Sequence, residues 1–194
     1  MVSSDELQLL ELRLEPRQRR RRGRVRRGVP GVQNARVFEP LGLRSIVPDH
    51  VDVIVAGRTR FYAREAPGRP LENAPVVDES YVWAAGGFLA TAEDLVRFGS
   101  AHLQPGFLAQ GTLDLLFRGH SVIPQSKTSV GIGWRIGTDA QGRRILHHAG
   151  ASVGGRAVLL LFPDSGVVVA ILSNMLAGFG DSDAQRIGAL FLAN

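Results

Sequence analysis

Residues 144–173 read RILHHAGASVGGRAVLLLFPDSGVVVAILS, and this stretch decides the fold. The runs 144–148, 155–162 and 167–173 are short and rich in β-branched and aliphatic residues, and Pro163-Asp164-Ser165-Gly166 between the last two is turn chemistry. Runs of this length, broken by such punctuation, read as strands. Upstream, residues 130–136 have the same character and are set off by Asp139-Ala140-Gln141-Gly142. The whole stretch 130–173 therefore predicts an antiparallel meander of at least three adjacent strands. A final helix is expected on one face of that sheet, capped by Asp181 or Ser182, with Ile187, Leu190 and Phe191 sharing one apolar face.

Working back towards the N-terminus, Gly86-Gly87 leads into Thr91-Ala92-Glu93-Asp94, and Leu95, Phe98 and Leu103 follow at helical spacing. Thr91 is a good N-cap, and two acidic residues in the first turn suit the positive end of a helix dipole. A second short helix is expected over 111–117. Residues 44–80 carry Pro48, Gly57, Pro67, Gly68, Pro70 and Pro75 among short apolar runs, which predicts a long irregular connection with little regular helix.

The 194 residues are enough for one domain with a sizeable core, and 44% apolar content is that of an ordinary globular chain. No run approaches the roughly 18–20 apolar residues of a membrane-spanning helix, and the N-terminus lacks the basic-then-apolar order of a signal peptide. The absence of cysteine removes disulfides, thiolate catalysis and thiolate metal sites, but leaves the compartment open. The net charge of +5 sits entirely in residues 1–27, where nine arginines meet Asp5, Glu6, Glu11 and Glu15, and the rest of the chain sums to zero. Such a density of like charge after Pro16 favours an extended, solvated head, with residues 28–31 as a linker and the domain boundary near residue 34. The chain thus divides into a head, 1–34, and a domain, 35–194. A basic arm for nucleic acid is the alternative reading of the head, but no aromatic interleaving or nucleic-acid-binding signature accompanies it.

From residue 38 onwards Phe38-Glu39-Pro40-Leu41-Gly42-Leu43 and Ala85-Gly86-Gly87-Phe88-Leu89-Ala90-Thr91-Ala92-Glu93-Asp94-Leu95 stand in order. They resemble the FEPLGM segment and the AGGLxSTAxDL helix start of the serine β-lactamase and penicillin-binding-protein superfamily, in its class C, esterase and peptidase-like branch. Gly131-Ile132-Gly133-Trp134 resembles the GLGW strand. His148-Ala149-Gly150, Gly154-Gly155, Leu161-Phe162-Pro163 and residues 168–174 together resemble the family's K/H-T-G to VVVLSN succession. Arg60-Phe61-Tyr62 and residues 77–83 are similar to the mitochondrial serine β-lactamase-like proteins and their bacterial relatives. The resemblance implies an α/β (α+β) fold, the C-terminal part of a β-lactamase/transpeptidase-like domain whose antiparallel sheet is flanked by helices. It implies no cofactor and no metal, and small-molecule or peptide acyl substrates. Family members are periplasmic, extracellular or mitochondrial.

Acyl transfer through a serine ester requires a nucleophile with a base, a proton shuttle and an oxyanion hole. The family supplies these through S-x-x-K, Tyr-x-Asn and K/H-T-G. No serine in this chain stands three residues before a lysine, and the single lysine, Lys127, follows Ser126. Neither Tyr62-Ala63-Arg64 nor Tyr81-Val82-Trp83 ends in Asn. In the family both motifs lie upstream of the FEPLG segment, so the resemblance implies a fragment, a truncated product or a misread frame, inactive by itself. The third motif survives. By resemblance His148 takes the place of its cation, Ala149 and Gly150 line the substrate, and the backbone N–H of Ala151 is an oxyanion donor. Ala149 stands where a hydroxyl residue would contact a substrate carboxylate.

Gly150-Ala151-Ser152-Val153-Gly154 also matches the G-x-S-x-G elbow of α/β-hydrolases, with Ser152 as nucleophile, but that motif requires a strand, a sharp turn and then a helix. His147 and His148 are neighbours on a predicted strand, point to opposite faces, and cannot chelate one metal together. Three function classes follow: a serine hydrolase half-site, a non-catalytic interaction module of the same fold, and the basic-arm nucleic-acid binder.

Overall fold

The computed structural model describes residues 28–120, 129–176 and 178–192. The arginine-rich segment 1–27 and the Ser126-Lys127 pair lie outside the described residues. The chain enters through α1 (Val29–Gln33), which continues as a π-helical turn, Asn34–Phe38. Residues 28–31 are therefore a helix start where a linker was expected, because Pro30 in the first turn has its φ already set for a helix and no N–H to leave unpaired. Two-residue strands β1 (Val47–Pro48), β2 (Tyr62–Ala63), β3 (Glu72–Asn73) and β4 (Phe88–Leu89) follow, pairing as β1–β4 and β2–β3 within an otherwise irregular stretch. Next come α2 (Ala92–Ala101) and α3 (Gln110–Leu116). The strands β5 (Ser129–Val130), β6 (Arg135–Thr138), β7 (Arg144–Ser152), β8 (Gly155–Phe162) and β9 (Val167–Ser173) complete the sheet, and α4 (Asp181–Ala189) ends the fold.

The last third forms the expected meander, a five-stranded sheet in the order β5-β6-β7-β8-β9 with every pair antiparallel. Strand β8 is buried because helices cover both faces. On one face Ile145, Val158, Leu160, Phe162 and Val169 pack against Ala184 of α4. On the other, Leu146, Leu159, Leu161 and Trp134 meet Leu95 and Phe98 of α2 and Leu116 of α3. A strand covered on both faces needs no polar alternation, which accounts for the uninterrupted run Val158-Leu159-Leu160-Leu161-Phe162.

Two local expectations are corrected. Residues 130–136 are not one strand: the chain reverses at 131–134, with Gly133 at φ +77° and the Gly131 N–H donating to the Trp134 carbonyl at 2.7 Å. A Cβ on Gly131 would collide with the Leu116 carbonyl, so only glycine lets the reversal sit against α3. Helix α4 is capped by Gly180, whose N–H donates to the Asp183 carboxylate at 2.8 Å, rather than by Asp181 or Ser182. Its shared apolar face, Ile187, Leu190 and Phe191, is exposed to 41%, 81% and 72%. The helix instead packs through its small residues, with Gly188 so close to the Phe162 ring that a Cβ would clash with it.

Helix α2 begins as the sequence indicates. The Thr91 hydroxyl accepts from the Asp94 N–H at 3.3 Å, and Asp94 itself is 3% exposed. Its carboxylate accepts from the Ser45 N–H (2.7 Å) and hydroxyl (2.6 Å) and pairs with Arg97 at 3.0 Å, tying the segment after Phe38-Glu39-Pro40-Leu41-Gly42-Leu43 to the helix start. Burial opposes its charge, but the two Ser45 bonds and Arg97 outweigh burial and hold the carboxyl below the usual carboxylate range. His102, 6% exposed, lies among Phe98, Phe107, Phe117 and Trp134, with Nδ1 donating to the Phe98 carbonyl at 2.9 Å. Burial lowers its pKa, offset only in part by that bond.

Asp94→Asn should cost about 2–4 kcal/mol, since it leaves polar partners unmatched at a buried position, and urea unfolding will measure it. The two groups also set an acid sensitivity of known sign. His102, with its folded pKa depressed, contributes stability that is complete above about pH 6.5 and declines as pH falls below it, whereas the Asp94 contribution is lost only below about pH 4. Between pH 7 and 5, His102→Phe should therefore flatten the dependence of unfolding free energy on pH while Asp94→Asn leaves its slope unchanged.

Candidate functional site

Strand β7 outruns its neighbour β6. Pairing with β6 covers Arg144 through His147, the last pair being Arg135 with His147, while pairing with β8 continues to Ser152 opposite Gly155. Among the described residues, 148–152 therefore have one paired edge and one open edge. His148, Gly150, Ala151 and Ser152 are exposed there, and Ala149 is partly buried. The predicted site residues His148, Ala149, Gly150 and Ala151 thus lie together on one free strand edge.

Alternation sends the two histidines to opposite faces, as expected. His147 points towards α4, with Nδ1 3.2 Å from Asp181 Oδ2 but out of hydrogen-bond alignment. Burial lowers its pKa, against the pull of Asp181, and the charges of Arg135 and His148 lower it further, so it is neutral at pH 7. His148 faces the other way, and its Nδ1 is 2.7 Å from the Gly133 carbonyl. A carbonyl only accepts, so Nδ1 carries the proton of the neutral ring and Nε2 keeps a free lone pair. The 131–134 reversal is what presents that carbonyl.

Ser152 ends the open edge on the His148 face. Its hydroxyl donates to Glu79 Oε1, a short contact between residues 73 apart in sequence. Glu79 belongs to the irregular stretch, within 77–83, and nothing local in the sequence marks a contact that only the tertiary fold creates. The neighbouring charges are Asp78, Asp49 and Arg58, the last held by Asp49 at 2.9 Å and by the His50 carbonyl at 3.0 Å. Burial raises the Asp49 pKa, and the charges of Glu79 and Asp78 add to the effect against that of Arg58. The G-x-S-x-G reading of Ser152 is overturned: after Ser152 the chain turns through Val153-Gly154 into strand β8, not into a helix. Tyr81 is 80% exposed, and the Tyr62 N–H is used by the Asn174 carbonyl at 2.9 Å.

The molecule so described is a mixed helix–sheet domain whose antiparallel sheet bears a K/H-T-G-like strand with an open edge. The beta-lactamase family model matches residues 34–192, and the chain belongs to that family. It is 27% identical over 197 residues to the mitochondrial serine beta-lactamase-like protein LACTB of Homo sapiens, covering 80% of this chain and 35% of that protein. It is 32% identical over 152 residues to penicillin-binding protein 4 of Amycolatopsis lactamdurans, covering 72% of this chain and 39% of that protein. The chain thus spans little more than a third of the curated relatives it matches. Among solved structures, a D-stereospecific amidohydrolase from Streptomyces sp. superposes with a TM-score of 0.71 at 21% identity, over 86% of this chain and 50% of that one. Among the described residues no helix is long and apolar enough to cross a membrane.

The tautomer assignment is directly testable. Nitrogen-15 shifts of the neutral His148 ring should show Nδ1 protonated and Nε2 bare. In Gly131→Ala, which displaces the reversal from α3, the ring should revert to the mixed tautomers of a free imidazole.

Proposed function

We propose that residues 148–152 form one wall of an acyl-transfer site of the β-lactamase type, serving amide or ester substrates that react through a serine ester. The observation that carries this reading is that the third-motif residues coincide with a strand edge open to an extended ligand. Backbone groups along such an edge align an acyl chain as an added strand would. His148, through Nε2, faces the ligand and supports proton transfer. The Ala151 N–H serves as one oxyanion donor. With Ala149 in place of a hydroxyl residue, the edge offers no side-chain donor at that point to a substrate carboxylate.

The same reading makes the isolated chain catalytically silent. Acylation needs a serine whose proton is taken by a neighbouring lysine, and no serine of the 194 residues precedes a lysine by three. Loss of a nucleophile from a comparable site removes on the order of a millionfold in rate. Incubation of the chain with a chromogenic β-lactam, a nitrophenyl ester and a fluorophosphonate should give neither turnover nor covalent labelling. Stoichiometric labelling at any serine would overturn this expectation, and its loss in Ser152→Ala would identify Ser152 as a nucleophile after all.

A further inference from the structure

The open edge of β7 has chemically different ends. At the His148 end stands an imidazole held by a backbone carbonyl, and at the Ser152 end stands the Glu79 carboxylate. Among the described residues no cation forms a salt bridge with Glu79. Arg58 is committed to Asp49 and the His50 carbonyl, and Arg156 lies over the Phe179 ring, on the α4 face of the sheet. Asp49 makes the surroundings more negative still, since the charges of Glu79 and Asp78 are both felt there. Among the described residues the Glu79 carboxylate accepts one hydrogen bond, from the Ser152 hydroxyl, and this leaves lone pairs on both oxygens.

Direction along the edge then matters. Every pairing in the five-stranded sheet is antiparallel, the more stable arrangement per residue. A short extended ligand laid antiparallel on residues 148–152 starts beside Ser152 and runs towards His148. Its amino end therefore lies at Glu79, within reach of a carboxylate one hydrogen bond beyond the strand.

From this geometry we infer that Glu79 determines the ligand class of the edge, selecting acyl ligands with a free terminal ammonium over N-blocked or anionic ones. The inference rests on the acyl-site reading above and adds the substrate's charge to it. Ala149 and Glu79 act in the same sense: the first withdraws a hydroxyl from a substrate carboxylate, and the second supplies an anion for an amine. Because Glu79 is partly buried and not sealed from water, the preference should be moderate, about threefold to tenfold in Kd.

The test is a titration of the full chain, followed by backbone amide shifts, with phenylalanine amide and with its N-acetyl derivative. The expected result is perturbation of residues 148–152 by both, with the free amine binding at least about threefold more tightly. Glu79→Gln, which keeps the shape and an acceptor for Ser152, should abolish the difference, and Glu79→Asp should keep part of it. Ser152→Ala, which removes that hydrogen bond from the Glu79 carboxylate, should preserve the preference. Equal affinities in the unaltered chain, or a preference that survives Glu79→Gln, would overturn the role of Glu79 and leave the acyl-site reading standing. Failure of both ligands to perturb 148–152 would overturn the acyl-site reading itself, and this inference with it.

Discussion

Leu146 opposite Leu161, and Ser152 opposite Gly155, define the register on which the rest of the molecule depends. Helices cover both faces of β8, α4 on one side and α2 and α3 on the other, so a slip of β7 by one residue would exchange Ile145 and Leu146 between the two cores. Leu146, fully buried beside Leu161, would leave its cavity. The same slip would send His147 to the open side and His148 against Asp181. Packing energy spread over two aliphatic layers thus decides which imidazole is available for chemistry, although neither histidine contributes much to that energy.

Two adjacent residues of one type acquire opposite characters in consequence. His147 is desolvated beside an aspartate at the N-terminus of α4 and is kept neutral. His148 is exposed, oriented by a single bond to the Gly133 carbonyl, and keeps one nitrogen for a ligand. The orienting bond exists because residues 131–134 reverse instead of extending as strand, and that reversal depends on Gly131 fitting beneath the Leu116 carbonyl. A packing constraint at α3 is thereby carried to the ring of His148.

How much of this the sequence discloses follows from the range of the interactions involved. The strands of the sheet and the Thr91 cap are legible because turn residues and capping chemistry are local signals. The packing face of α4 is not, because apolar periodicity points to Ile187, Leu190 and Phe191, whereas the true contact uses Ala184 and Gly188 to bring the helix close to Phe162. Small residues carry little hydrophobic signal even where they decide the approach. The reversal at 131–134 is hidden for a similar reason, since Gly-Ile-Gly-Trp within apolar surroundings reads equally well as strand. For Glu79 nothing local marks the contact: its partner is Ser152, 73 residues further on, and only the tertiary fold brings the two together.

The early end of β6 gives the site its energetic logic. An unpaired edge inside a core would be costly, but at 148–152 the backbone groups are open to water and little is lost by leaving them so. A ligand on that edge exchanges water hydrogen bonds for protein ones, and the net gain per bond is small, about 0.5–1.5 kcal/mol. The edge also accepts any extended backbone, so it aligns a ligand without distinguishing one from another. Discrimination has to come from side chains at its limits. The edge has two such limits in this chain, an oriented imidazole and a carboxylate with spare acceptor capacity, and it is their difference in charge that gives a symmetric hydrogen-bonding surface a direction.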